Sequence, residues 1–279
     1  MEQAPQTPDP SFSLRFWGVR GSTPTPVARN LGHGGNTPCV AVETADDQLL
    51  IFDAGSGIRE LGIEVVQRPQ PPAELHLFFT HFHWDHMQGL PFFVPIYSPK
   101  TRLTIHSARP PNELREFLAC QMSSPFFPVD FGNLASQLEF RQIGTEPQAF
   151  GGLTIQGFPL NHPQGAQGYR IAGPGKTIVF AIDHEHGNAE IDANLCHISH
   201  QADVLIYDAQ YTAAEYPQRI GWGHGTWQEA VKVAAAAQVG QLVLFHHDPD
   251  HDDAALEAIV AEAQLQFPNT IAARERMTV

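Results

Sequence analysis

Three imidazoles and a carboxylate stand within six residues in His81-Phe82-His83-Trp84-Asp85-His86, directly after a short apolar run over 75–80. Neutral imidazole and carboxylate are the ligands that suit Zn²⁺ and neighbouring divalent cations. Side chains on an extended segment alternate with period two, so His81 and His83 share a direction. Asp85 and His86 fall where the chain turns into a helix and face a second point close by. The competing reading, a His-rich surface turn, leaves unexplained why four ligand types sit at this spacing on a strand end. Three further ligand-type residues have the same context. His162 follows the apolar run 153–160, Asp183 ends the run 177–182, and His246 ends the run 242–245. Each alone reads as a turn or capping residue. Combined with the 81–86 cluster they complete two sites, one with three His and a shared Asp, the other with two His, an Asp and that same shared Asp. A carboxylate bridging two cations that keep open coordination positions is the usual hydrolytic two-metal arrangement.

The elements that must hold these residues are legible from periodicity. Runs at 14–19, 39–44, 49–53, 75–80 and 103–106 read as strands in the first half of the chain. In the second half the strand runs are 138–143, 153–158, 169–172, 177–182, 203–207 and 241–245. Residues 58–66, 111–122, 226–238 and 253–267 read as helices, with Thr226 and Asp252 or Asp253 available as N-caps. Gly173-Pro174-Gly175-Lys176 lies between strands with no following helix, so it reads as a hairpin rather than a phosphate loop. The expectation is an α/β domain over 13–279, made of two mixed β-sheets packed together with helices outside, preceded by a disordered tail over 1–12.

Composition narrows the function classes. The 279 residues are 42% hydrophobic and 10% aromatic, ample for a buried core. Net charge is −14, which argues against non-specific capture of nucleic acid or of an anionic membrane. No apolar run approaches the roughly 18 residues needed to span a bilayer. Residues 1–10 lack a basic stretch followed by an apolar one, so a cytoplasmic location is expected. Cys39, Cys120 and Cys196 are odd in number and widely spaced, unlike a disulfide framework. Histidine is the abundant residue, with 15 copies, most of them clustered.

The pattern His81-x-His83-x-Asp85-His86, then a His, an Asp and a His at successive strand ends, resembles the metallo-β-lactamase superfamily across residues 13–252. That resemblance implies the αββα four-layer sandwich. It also implies that His81, His83 and His162 bind a first metal, that Asp85, His86 and His246 bind a second, and that Asp183 bridges. His246 is preferred to His247 because it directly follows the strand, and His184, His186 and His251 receive no role. Asp53 in Asp53-Ala54-Gly55 resembles the family's structural aspartate. Asp208-Ala209-Gln210-Tyr211 followed by Gly223-His224-Gly225-Thr226 resembles the ribonuclease Z and small-molecule phosphodiesterase branch, where an acidic residue pairs with a His. Phe16-Trp17-Gly18-Val19-Arg20-Gly21-Ser22 and His33-Gly34-Gly35-Asn36-Thr37 resemble that branch too. Asp208 stands where ribonuclease Z has Glu, and Gly225 where Ser is common.

The implied activity is hydrolysis of a cyclic nucleotide or other small phosphodiester by a hydroxide that two divalent metals activate, with zinc preferred and manganese or iron tolerated. In this reading Asp85, Asp208 and His224 take part in catalysis, Asp208 orienting His224. Arg20 and Asn36 are candidate substrate contacts from Gly-rich turns. Trp84, Phe92, Phe93 and Trp222 read as core aromatics, with a pocket lining as the alternative. The rival functions are a tRNA 3′-processing endonuclease, a lactone or ester hydrolase, and a small-ligand carrier without turnover. The endonucleases of the branch carry a long basic Gly-rich arm, whereas residues 123–136 are short and hold no Lys or Arg. The partner implied is therefore a small molecule rather than nucleic acid or membrane, and the branch implies a homodimer.

Overall fold

The computed structural model describes residues 12–44, 47–72 and 74–279. Two sheets lie face to face. In the first, β1 (Ser13–Gly18), β2 (Cys39–Glu43), β3 (Leu49–Phe52), β4 (Glu74–Phe78), β5 (Arg102–Ser107) and β6 (Gln137–Gln142) follow one another in chain order. In the second, β7 (Gln148–Phe150), β8 (Leu153–Leu160), β9 (Ala166–Gly173), β10 (Lys176–Ala181), β11 (Val204–Asp208), β12 (Gln241–Phe245) and β13 (Thr270–Ala272) do the same. Each sheet begins as an antiparallel meander and ends as a parallel run, β3 to β6 and β10 to β13.

Parallel neighbours need a crossover, and helices supply most of them. Helices α1 (Ile58–Gln67), α2 (Trp84–Met87) and α3 (Pro111–Gln121) belong to the first half, and α4 (Ala189–Ile198), α5 (Trp227–Ala237) and α6 (Asp253–Gln264) to the second. Burial follows in three apolar layers. Leu50 and Phe52 point into the layer between the sheets with Phe16, Phe78, Ile155, Phe180 and Phe245. Leu49 and Ile51, on the other face of the same strand, pack against Ile58 and Leu61 of α1 and Leu114 of α3. Leu205 and Leu242 meet Trp227 and Ala234 of α5 in the third layer. Strands covered on both faces have no polar side, so 49–52 reads as an unbroken apolar run.

The four-layer αββα arrangement agrees with the expectation from sequence. Three elements escaped it. Strands β7 and β13 are three residues each at sheet edges, and α4 buries only Leu195 fully, so its apolar stripe is weak. Asn188 nonetheless caps α4 by accepting from Ile191 N. The expected tail ends one residue too late, because Phe12 is 6% exposed and packs between the sheets; residues 1–11 lie outside the described residues. The 173–176 hairpin is present, with β9 and β10 joined by Pro174-Gly175 and Gly175 at φ +72°. Among the described residues no helix is long and apolar enough to cross a membrane.

The parallel strands of both sheets end on one rim, where open α/β sheets usually bind ligands. At that rim Asp53, Asp183 and His246 follow β3, β10 and β12 in the left-handed conformation, with φ of 60°, 59° and 60°. Non-glycine residues held there store strain that the surrounding structure must offset, a pattern that concentrates at functional sites. Each reversal turns a side chain from the strand direction back across the rim.

Candidate metal centre

The rim brings the seven sequence candidates together around Asp183, which is 1% exposed. Its Oδ1 lies 3.7 Å from His81 Nε2 and 3.8 Å from His162 Nε2. Its Oδ2 lies 3.3 Å from His86 Nε2 and 3.4 Å from His246 Nε2. The two oxygens thus face two different pairs of imidazoles. His83 Nδ1 closes the first group, 2.9 Å from His162 Nε2, and Asp85 Oδ2 closes the second, 3.3 Å from both His86 Nε2 and His246 Nε2. Ligand atoms of His81, His83 and His162 lie within 4.8 Å of one another, as do those of Asp85, His86 and His246.

The outer nitrogen of every one of these five imidazoles has a partner. His86 Nδ1 donates to Asp53 (2.9 Å), His246 Nδ1 to Gln210 Oε1 (2.9 Å), His162 Nδ1 to Gly223 O (2.8 Å) and His83 Nε2 to Gln164 Oε1 (2.7 Å). His81 Nδ1 meets Thr80 Oγ1 at 3.0 Å. Such anchoring fixes tautomer and ring orientation in metal-binding histidines. The inward atoms contrast with this. His81 Nε2, His86 Nε2 and Asp183 Oδ2 are buried and have no hydrogen-bond partner. Buried polar atoms are rarely left so, because an unpaired one costs about 1–3 kcal/mol. A converging donor set of imidazole and carboxylate, three of whose inward atoms are unmatched, fits a pair of divalent cations. Burial favours the neutral form of His81 and holds its pKa well below the usual value, which leaves its nitrogen free to ligate. Burial alone would raise the Asp183 pKa, but His246, His86 and His81 hold it well below the carboxylate range.

Asp53 ties this rim to the strands. It accepts from Thr80 N (2.8 Å), Thr80 Oγ1 and His86 Nδ1, in keeping with the structural role its motif implies. Asp208, at the end of β11, accepts from four donors: Asp183 N (3.0 Å), Gln210 N (3.1 Å), Gly225 N (3.0 Å) and His224 Nδ1 (2.9 Å). The expected Asp208–His224 pair is therefore formed, on the same side of the cluster as His162 and His246, whose rings lie 5.2 and 4.9 Å from that of His224. Burial opposes protonation of His224, and the Asp208 carboxylate overrides it, raising the pKa to about 9.

Two sequence candidates do not reach this centre. Arg20 is fully buried, its Nε donating to Gly34 O (2.9 Å) and its Nη1 to Asp248 O and His251 O, while its Nη2 has no partner. Asn36 donates to Glu275 Oε2 (3.1 Å) and accepts from Ser56 Oγ (3.0 Å). Both knit the 20–36 turns to the C-terminal segment. Of the four aromatics read as core, only Phe93 is buried; Trp84, Phe92 and Trp222 are 60%, 56% and 58% exposed. His247 donates to Ala273 O (3.0 Å), away from the ligands, and His251 faces Glu215. His184 accepts from Asn161 N (3.2 Å) and so braces the loop that carries His162.

Glu185 is the functional residue that sequence reading missed. Its Oε1 accepts from Gly221 N (2.7 Å) and Tyr216 Oη (2.9 Å), and its Oε2 from Gly223 N (2.8 Å). It therefore shapes the 221–223 turn whose Gly223 O orients His162 and whose next residue is His224. Gly223 sits at φ +91°, and a Cβ there would lie 2.1 Å from His162 Nδ1, so glycine is required. The only available signal was a carboxylate two residues past Asp183.

Comparisons with known proteins agree with this geometry. The profile of the Beta-lactamase superfamily domain matches residues 49–247. Ribonuclease Z of Thermoplasma acidophilum is 23% identical over 96% of this chain and 95% of its own length. The metallo-β-lactamase fold protein YhfI from Bacillus subtilis superposes with a TM-score of 0.73 at 19% identity, over 96% of this chain and 98% of that one. A diphosphatase of the PhnP family superposes with a TM-score of 0.70 at 17% identity, over 96% and 97%. The chain belongs to the beta-lactamase superfamily whose domain profile it matches over most of its length.

Proposed function

We propose that this protein is a metal-dependent hydrolase of the ribonuclease Z-like branch that cleaves a small phosphodiester, a cyclic nucleotide or a compound of that class. In this reading two divalent cations, zinc in preference to manganese or iron, are held by His81, His83, His162, Asp85, His86, His246 and bridging Asp183. Five imidazoles against two carboxylates favour zinc over harder ions. When bound, such a pair supplies an activated water nucleophile at neutral pH and offsets the charge on the phosphoryl oxygens. The remaining task, handling the leaving alkoxide, falls to the chain. The observation that carries the reading is the Asp208–His224 pair, 2.9 Å apart beside Asp183 yet outside the seven ligands. With Nδ1 donated to Asp208, His224 has Nε2 as its free nitrogen. The Asp208 carboxylate favours the protonated form of His224, which suits that nitrogen to protonate a departing oxygen or to stabilise a phosphoryl oxygen.

A second reading, tRNA 3′-processing, is supported by relatives named ribonuclease Z and ribonuclease BN. The net charge of −14 and the absence of Lys and Arg from 123–136 weigh against it. Turnover of metal-reconstituted protein on a cyclic nucleotide, a nitrophenyl phosphodiester, precursor tRNA and a lactone tests both. Cleavage of the small diesters alone supports the proposal, whereas cleavage of precursor tRNA or of the lactone alone would displace it.

A further inference from the structure

The cluster around Asp183 opens on one side into a cavity of about 740 Å³. His81 and His83 form part of its wall, while Asp208, His224 and His246 do not. The cavity therefore borders the first ligand group and does not include the Asp208–His224 pair in its wall. Phe82, Trp84, Met87, Phe117 and Phe126, brought together by α2 and the segment before it, α3 and the loop after α3, form the large apolar part of the wall, and the 107–109 and 163–166 segments close the rest. Trp84 and Phe126 are 60% and 78% exposed, and large apolar side chains grouped at a mouth in this way mark binding surfaces. Several polar side chains of the wall are engaged by protein, although Gln121 Oε1 has no partner. His83 Nε2 donates to Gln164 Oε1, Gln121 Nε2 donates to Met87 O (2.8 Å), and Arg109 Nη2 donates to Gln164 O (3.0 Å). The volume is in the range that holds drug-sized ligands, far more than a methyl or glycerol ester fills.

We propose that this cavity is a specificity subsite for a flat apolar or aromatic group in the ester that the substrate retains. The inference rests on the phosphodiesterase reading and narrows its substrate class to aryl-bearing diesters, excluding those with only small polar alcohols. The affinity comes from apolar area removed from water, so it follows the size of the group rather than its charge.

The test compares 4-nitrophenyl 2-phenylethyl phosphate with 4-nitrophenyl methyl phosphate, which share a leaving group and differ only in the retained ester. Metal-loaded wild-type protein should prefer the phenylethyl ester by about 100-fold in kcat/KM, the scale expected for burying one aromatic ring, with most of the difference in KM. Cys120→Trp, at an exposed position of α3 on the cavity wall, should fill the space and bring the ratio down to about one. Phe126→Ala should lower the ratio by a smaller factor. A wild-type ratio near one, or a Cys120→Trp ratio equal to the wild-type value, overturns the subsite assignment alone. Turnover of neither ester overturns the phosphodiesterase reading and the assignment with it.

Discussion

Truncating His224 to alanine separates catalysis from metal binding in the proposed assignment, where this imidazole stands beside the seven ligands with its Nδ1 held by Asp208. Asp208 would lose one of four donors and keep Asp183 N, Gln210 N and Gly225 N, so the rim stays organised. Metal content and melting temperature should therefore stay close to wild type. Turnover of a diester with an alkoxide leaving group should fall by roughly 10²–10⁴-fold, the range for losing an acid or an electrostatic stabiliser. That corresponds to about 3–5 kcal/mol of transition-state stabilisation. The deficit should shrink for a nitrophenolate leaving group, which scarcely needs a proton. Asp208→Asn should behave differently. It sets an amide NH₂ against the Asp183 N–H that the carboxylate now accepts, so it should lower metal content as well as turnover. The assay is steady-state kinetics on both leaving groups with elemental analysis of the same samples. Loss of metal in His224→Ala, or full activity on the alkoxide substrate, would refute the reasoning.

Three further outcomes follow from the contacts around the site and core. Asp53→Ala should weaken metal binding about 10–100-fold, as seen when groups that orient ligands are removed. It should also cost about 1–3 kcal/mol of stability by leaving the Thr80 N–H without an acceptor; chelator competition and denaturant melts check the two effects. Glu185→Gln cannot accept from both Gly221 N and Gly223 N as before, so the turn orienting His162 loosens. Metal affinity by chelator competition should fall about tenfold or more while the urea midpoint hardly moves; a midpoint shift with unchanged affinity would make the residue merely structural. Burial between the sheets pushes His106 down to about 3, with His76 and Arg141 adding to the effect. The folded protein then binds fewer protons than the unfolded chain, whose histidine titrates near 6.5, so stability should drop as pH falls from about 6.5 towards 3. The slope is at most about 1.4 kcal/mol per pH unit. His106→Phe should flatten that part of the stability–pH curve relative to wild type, and an unchanged curve would contradict the assignment.

The legibility of this protein in its sequence follows from what fixes each residue. The ligands were readable because they cluster just beyond apolar runs, where a buried strand must end and the chain must reverse. The sandwich was readable for the same reason, since strands covered on both faces show continuous apolar runs. Elements that bury little were not: β7 and β13 are short edges, and only Leu195 of α4 is fully buried. The surroundings of Arg20 and Asn36 were not legible because a polar side chain in a Gly-rich turn looks alike whether it faces a ligand or an oxygen from a segment more than 200 residues away, as Arg20 faces the Asp248 carbonyl and Asn36 the Glu275 carboxylate. Glu185 went unseen because its partners are backbone amides of a distant turn, which carry no sequence signal. Trp84 and Phe126 look like core residues by type, and only the packing of α2 and α3 shows them at the mouth of a cavity.

The most direct test of the account is the number of metal ions per chain, measured by elemental analysis on wild type and Asp183→Ala after reconstitution and removal of free metal. Because Asp183 turns one oxygen to His81 and His162 and the other to His86 and His246, wild type should hold two ions and the variant should lose most of both. One ion per chain in wild type, or full occupancy in Asp183→Ala, would contradict the bridged centre on which the proposed chemistry rests.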